Sequence, residues 1–412
     1  MTINDKILTL VTKAEEECRT QYKRIDDIAL HNQRKVLKAF QINCVADRHL
    51  KGTSGYGYDD IGRDMLSKVY SDVFCTDNAI VSPNISSGTQ ALNIALFGLL
   101  RPNDLLLSIS GKPYDTLLKV ISGSGIGSLK DFNINYSQIE LKNDDFDYDK
   151  IKEAITCNSP KVVFITRSRG YSWRNALSIE SIAKVINFIR DNNEKIIIMV
   201  DNCYGEFVEY LEPTDVGADV VVGSLIKNIG GGLAPSGGYI AGREECIRNI
   251  SYRLTAPSIG SEVGSYYSGY QYFFQGLFIA PHVVANALKG SVLFGKVFSM
   301  LGYKTFPAYN SICYDIIRSI EFNTKEELII FCQKIQEISP IDSNALPTPW
   351  DMPGYQDQVI MAAGTFVQGA SIELSADSPI KAPYIAYLQG GLTYEHAKLA
   401  VIHCAEALCK LI

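Results

Sequence analysis

Lys227 lies in Ser224-Leu225-Ile226-Lys227-Asn228-Ile229-Gly230-Gly231-Gly232, directly after the apolar run 219–224, DVVVGS. A lysine just beyond a buried strand, with glycines that let another group approach, is suited to forming a Schiff base with a carbonyl. Partial desolvation there lowers the ammonium pKa and favours the amine nucleophile. Ser224, three residues earlier, can donate its hydroxyl to a phosphate. Asp201 closes the run KIIIMVD, 26 residues before the lysine (227 − 201). A carboxylate at the end of a buried strand is costly without a positive partner. A pyridinium N–H is one such partner, and keeping it protonated maintains the ring as an electron sink. Tyr114 follows the run DLLLSIS and can form the floor under a planar ring. Ser87, Gly88 and Thr89 open the apolar helix ALNIALFGLL. Free N–H groups near the positive end of a helix dipole make an anion site.

Each of these has an ordinary reading when taken alone. Ser87 and Thr89 can be plain helix caps, most of the 23 tyrosines must be structural, Asp201 can sit in a salt bridge and Lys227 in a flexible turn. Their order decides the matter. An anion-binding helix start, a stacking aromatic, a strand-end Asp and Ser-x-x-Lys form the pyridoxal 5′-phosphate (PLP) fold type I arrangement. A Walker A nucleotide loop is excluded because the glycines follow the lysine. No metal site is expected: Asp201 has no histidine near it and there is no CxxC pair.

The elements that must position these residues read as α/β. Strands are expected at 104–110, 161–166, 195–201 and 219–224, with 237–241 returning; runs apolar throughout suit parallel strands covered on both faces. At 412 residues the chain exceeds what one core serves. We expect an N-terminal helical arm (1–50), a large PLP-binding domain with a mostly parallel sheet (51–285) and a small α+β C-terminal domain (286–412). In the last, a helix at 282–300 leads to strands at 311–320, 364–375 and 382–389, with helices at 324–337 and 393–411. A net charge of −6 with scattered Lys and Arg argues against a nucleic-acid surface and an anionic membrane. No apolar run reaches the roughly 20 residues that cross a bilayer, and no signal peptide is read at the start. Ten dispersed cysteines suggest reduced thiols and a cytoplasmic location, with Cys203 inside the candidate site.

The motifs resemble those of the cystathionine-lyase-related family of aluminium-resistance proteins and methionine γ-lyases. The matching blocks are GTSGYGYDDIGRD (52–64), SSGTQAL (86–92), GKPYDTL (111–117), RSRGYSWR (167–174), VDNCYGEF (200–207), GSLIKNIGGGLAPSGGYIAG (223–242) and the long block 363–398. The resemblance implies a homotetramer or dimer with active sites built between subunits. It implies Lys227 as the covalent lysine, Asp201 as the pyridine partner and Tyr114 as the stacking ring. Ser87, Gly88, Thr89 and Ser224 would bind phosphate, and Tyr56 or Tyr58 would reach in from a neighbour. Two positions depart from the better-known cystathionine lyases: Asp60 stands two residues after the second arm tyrosine, where they have arginine, and Lys381 stands where a carboxylate-clamping arginine is expected. Lysine cannot make the bidentate fork, so Arg167, Arg169 or Arg174 is an alternative clamp, and Arg63 an alternative to the arm arginine. The implied reaction is carbon–sulfur cleavage of a sulfur amino acid, giving keto acid, ammonia and thiol by β or γ elimination. Fold type I hosts many reactions, so an aminotransferase, an aldolase or a low-turnover PLP-binding resistance or regulatory protein stay open beside it.

Overall fold

The computed structural model describes residues 5–352 and 357–409. Seven strands form the large sheet: β1 (Asn78–Ser82), β2 (Leu105–Ser108), β3 (Asn135–Gln138), β4 (Val162–Thr166), β5 (Ile197–Asp201), β6 (Val220–Ser224) and β7 (Gly238–Gly242). Their order is β1-β7-β6-β5-β4-β2-β3. Neighbours from β6 to β3 pair in parallel, while β7 runs antiparallel to both β6 and β1. The reason the central runs are apolar at every position is visible in the packing. Val163, Ile165, Ile198, Val200 and Val221 face one buried cluster. Val162, Phe164, Ile197, Met199, Val220 and Val222 face another on the opposite side. The sequence reading did not mark β1 or β3 as strands. β3 (NYSQ) is an edge strand with mostly exposed side chains, so it carries no apolar signature.

The N-terminal segment, expected as a helical arm, is two helices, α1 (Asp5–Glu17) and α2 (Arg19–Ile42). Ile7, Val11 and Ala14 of α1 belong to the same cluster as Phe294 and Phe331, whereas Val36 and Ala39 of α2 join the large-domain core. Six helices flank the large sheet: α3 (Ile61–Val73), α4 (Gly88–Leu99), α5 (Asp115–Ser122), α6 (Tyr148–Asn158), α7 (Ile179–Asn192) and α8 (Glu244–Leu254). The 30-residue α9 (Gln271–Met300) then runs through Pro281, where the sequence reading started a helix afresh. Proline removes a helical hydrogen bond, but here Leu277, Ala280, Pro281 and Val284 are all buried and packing overrides the break. Residues up to Val292 of α9 serve the large-domain core and Leu293 to Phe298 serve the small one, so the expected boundary at 285/286 falls inside a shared helix. By length and composition α9 could cross a membrane, contrary to the expectation that no stretch would, but 78% of its most apolar stretch is buried inside the molecule.

The small domain has an antiparallel sheet of β8 (Lys304–Phe306), β9 (Arg318–Phe322), β10 (Val359–Ala362), β11 (Ser375–Pro379) and β12 (Tyr384–Gln389), ordered β10-β11-β12-β9-β8. Helices α10 (Lys325–Glu337) and α11 (Tyr394–Cys409) cover it with Leu328, Phe331, Ile335, Val401 and Leu408. The expected strand 364–375 is mostly a loop, because the Glu373 carboxylate accepts the backbone N–H groups of Phe366 and Val367, each at 2.9 Å. The expected strand 311–320 begins only at Arg318, after a turn in which Asp315 accepts the N–H of Ile317 at 3.0 Å. All ten cysteines are free thiols.

Candidate active site

Because β2, β4, β5 and β6 run parallel, their carboxyl ends share one edge, where ligands of open α/β sheets sit. A cavity of about 790 Å³ opens there, closed on the far side by Ile317, Asp377, Tyr387 and Gln389 of the small domain. Ser87, Gly88, Thr89, Tyr114, Asp201, Ser224 and Lys227, drawn from segments up to 140 residues apart (227 − 87), all line it.

Gly88 opens α4, with Ser87 as the cap whose Oγ accepts the N–H of Gln90 at 3.0 Å. A Cβ at Gly88 would lie 3.3 Å from the Ser224 Cβ and 3.7 Å from the Cys203 Sγ. The helix start therefore lies close against the end of β6, and a side chain there would push Ser224 by a few tenths of an ångström. Tyr114 caps α5, and its hydroxyl and the Thr89 hydroxyl share a 2.9 Å hydrogen bond.

Asp201 is the last residue of β5, and its Oδ1 accepts the N–H of Cys203 at 3.1 Å. Burial pushes its pKa up, against the opposing pull of Lys227. Lys227 closes the turn after β6, and its Nζ stands 3.9 Å from the centre of the Tyr204 ring. Burial lowers the ammonium pKa as expected, but the acidic groups around it, Cys203, Tyr204, Asp201 and Tyr114, outweigh burial and hold it above the ordinary lysine value. This reverses the expectation of a lowered pKa. Burial also pushes the Cys203 thiol and the Tyr114 phenol up, the same direction in which it moves Asp201.

The three arginines of 167–174 have separate fates, and none is a solvated loop residue. Arg167 is fully buried and does not line the cavity. Its guanidinium meets Glu209 at 2.7 Å, Asn202 and the Gly205 carbonyl at 2.8 Å, and Glu212 at 3.7 Å. Arg169 lines the cavity, lies 3.9 Å from Asp315 and donates to the Ile317 carbonyl. Arg174 lines the cavity too, donating to the carbonyls of Ser168 at 3.0 Å and Asn175 at 2.8 Å, and among the described residues it makes no ion pair. Lys381 stays outside, on the surface, paired with Asp357 at 3.1 Å.

Tyr56 and Tyr58 also lie outside this chain's cavity, 73% and 64% exposed, with ring centres 5.5 Å apart. Asp60 is buried as the cap of α3: its carboxylate accepts the N–H groups of Gly62 at 3.1 Å and Arg63 at 3.0 Å, and the Tyr270 hydroxyl at 2.7 Å. Arg63 turns back to the Gly57 carbonyl at 2.9 Å. The residues that sequence reasoning missed are Tyr204 and the small-domain wall of Asp377, Tyr387 and Gln389. Tyr204 could have been found from its place three residues after Asp201; the wall carried no local signal.

A buried lysine, a buried acid, an aromatic ring and an open helix start around one cavity suit PLP in charge, shape and donor set. With the antiparallel β7 in an otherwise mostly parallel order, they define the PLP fold type I architecture. The chain belongs to the methionine gamma-lyase family, whose model matches residues 7–409. The uncharacterized protein YnbB of Bacillus subtilis is 50% identical over 391 residues, covering 94% of this chain and 93% of that protein. The crystal structure of a carbon-sulfur lyase involved in aluminum resistance from Clostridium novyi NT superposes with a TM-score of 0.95 at 49% identity, covering 100% of this chain and 97% of the other. The pyridoxal-5′-phosphate-dependent protein YhfS of Escherichia coli, at 16% identity and a TM-score of 0.64 over 94% of this chain and 97% of its own, shares the fold alone.

Proposed function

We propose that the chain is a PLP-dependent carbon–sulfur lyase that cleaves a sulfur amino acid to keto acid, ammonia and thiol, as a cystathionine β-lyase or methionine γ-lyase does. The observation that carries this reading is the convergence of Lys227, Asp201, Tyr114 and the α4 start on one cavity. Family membership and the likeness to the Clostridium novyi lyase support it. When bound, PLP supplies a cationic ring that draws electrons from the substrate Cα and lets a neighbouring carbon–sulfur bond break.

The protein's own groups have separable tasks. The N–H groups of Gly88 and Thr89, with the hydroxyls of Ser87 and Ser224, hold the phosphate. Asp201 would hold the pyridinium proton, and Tyr114 would pack on the ring. Lys227 would hold the cofactor, and its amine is the group placed to move the proton at the substrate Cα. Arg174, with Arg169 beside it, receives the substrate carboxylate. The homo-oligomer completes the site by bringing Tyr56 or Tyr58 from a neighbour. The exposed apolar surface around Tyr56, Tyr58, Ile61 and Tyr267 supports such a contact.

The test is absorbance and fixation. Purified protein should carry a visible band and, after borohydride, a pyridoxyl group on the peptide holding Lys227; Lys227→Ala should lose both. A link that persists in the variant sinks the assignment. Keto acid release from cystathionine, methionine or cysteine should follow, and amino-group transfer without thiol release would overturn the lyase reading.

A further inference from the structure

The lyase reading, on which this inference rests, gives no task to Asp377, an acid on the small-domain side of the cavity. Asp377 lies on β11 opposite Tyr387 of β12, on the small-domain wall that faces the ends of β5 and β6. Its Oδ2 accepts the Gln389 side-chain N–H at 3.1 Å, and the Tyr171 hydroxyl donates to the same carboxyl. Among the described residues it makes no ion pair. Burial pushes its pKa up to about 6 although the Gln389 and Tyr171 hydrogen bonds pull it down, so the group is mostly ionised at neutral pH with its burial only partly offset. Linking the loop 167–174 to the small sheet is not enough to explain a carboxylate here, because an asparagine oxygen would accept the same hydrogen bonds without a charge. What the charge adds is attraction for a cation.

The rest of the cavity fits a ligand with two charged ends. Arg169 and Arg174 offer positive charge for a carboxylate, while Glu140 and Asp144 add negative charge to the rim. A volume of about 790 Å³ is toward the upper end of the roughly 300–1,000 Å³ of small-molecule sites, leaving room beyond a cofactor for more than a methyl thioether. We infer that Asp377 is a specificity-determining residue that receives a second ammonium group, on the far side of the substrate's sulfur, so that the cavity selects diamino thioethers over methionine.

The experiment uses the holoenzyme and reads both binding and turnover. Calorimetric affinities are compared for lysine and ornithine, which carry a distal ammonium, and for norleucine and methionine, which do not. Turnover is compared for cystathionine and methionine. Wild type should prefer the diamino ligands, and Asp377→Asn should weaken their binding and raise the cystathionine KM by roughly 30-fold or more, as loss of one partner of a buried charge pair does. Norleucine and methionine should be unchanged, and so should the cystathionine kcat. Asp377→Glu, which keeps the charge, should retain the preference and decides the question if the Asn variant does not fold. Equal losses for both ligand classes, no loss for either, or a wild type without preference would overturn the inference. A wild type that releases no keto acid from any thioether would sink the lyase reading, and the calorimetric preference would still decide what Asp377 binds.

Discussion

The ammonium nitrogen of Lys227 stands 3.9 Å from the centre of the Tyr204 ring, and Tyr204 holds that ring in place from a left-handed backbone (φ 71°). A cation over an aromatic face is worth about 0.5–2 kcal/mol depending on desolvation. The contact therefore limits where the lysine can reach. Tyr204→Phe should keep lysine-bound cofactor close to wild type. Tyr204→Leu should lower cofactor affinity by roughly 2- to 30-fold, read from the loss of visible absorbance on dilution. Equal behaviour of the two variants would show that the ring does not restrain Lys227.

The cation that clamps the substrate carboxylate can be told apart by two substitutions. Arg174 faces the cavity without an ion pair among the described residues, whereas Lys381 is exposed and paired with Asp357. Arg174→Ala should raise KM at least about tenfold, since it removes a charge-assisted contact. Lys381→Ala should leave KM unchanged and alter stability by no more than about 0.5 kcal/mol. The reverse pattern would return the clamp to Lys381.

Arg167 is a stability residue. Its guanidinium is fully buried between Glu209 and Glu212, and Gly205 makes room for it: a Cβ there would lie 2.6 Å from its Nη1. Arg167→Ala leaves Glu212 buried without its cation, which typically costs about 3–5 kcal/mol. Denaturant melts of the variant should show that loss. A change below about 1 kcal/mol would mean the network relaxes around the gap.

Stability should also depend on pH through Glu206. Its Oε1 accepts the Tyr239 hydroxyl at 2.9 Å, its other oxygen has no hydrogen-bond partner among the described residues, and burial raises its pKa from 4.5 to about 8. The folded state then binds the proton more tightly than the unfolded chain. Stability from this group is fully present below pH 4.5 and is lost as pH rises to about 8. Glu206→Gln has no such titration, so its melting temperature should gain on wild type between pH 5 and 8.5, by the equivalent of a few kcal/mol at about 1.4 kcal/mol per pKa unit. A gap that stays flat with pH would show that Glu206 does not titrate in this window.

Much of the site could be read without coordinates because its signals are local. A strand buried on both faces must be apolar throughout, so KIIIMVD and DVVVGS announce themselves, and the polar residues that end them, Asp201 and Ser224, fall at the sheet edge. Lys227 follows by the length of one turn. Asp60 shows the limit of the same reasoning: an acid compared with an absent arginine proves to be the cap that orders α3.

The sequence by itself determined the α/β class, the central strands and the group of cofactor-binding candidates, since each depends on side-chain periodicity or spacing within a few residues. Only the tertiary structure decided which arginine is buried, which faces the cavity, that Lys381 stays outside, and that Asp377 lines the same cavity as Lys227. It also reversed the direction of the Lys227 pKa. Those outcomes depend on charges and packing partners far apart in the chain, and Coulomb attraction and burial act on distance in space, to which spacing along the chain is blind.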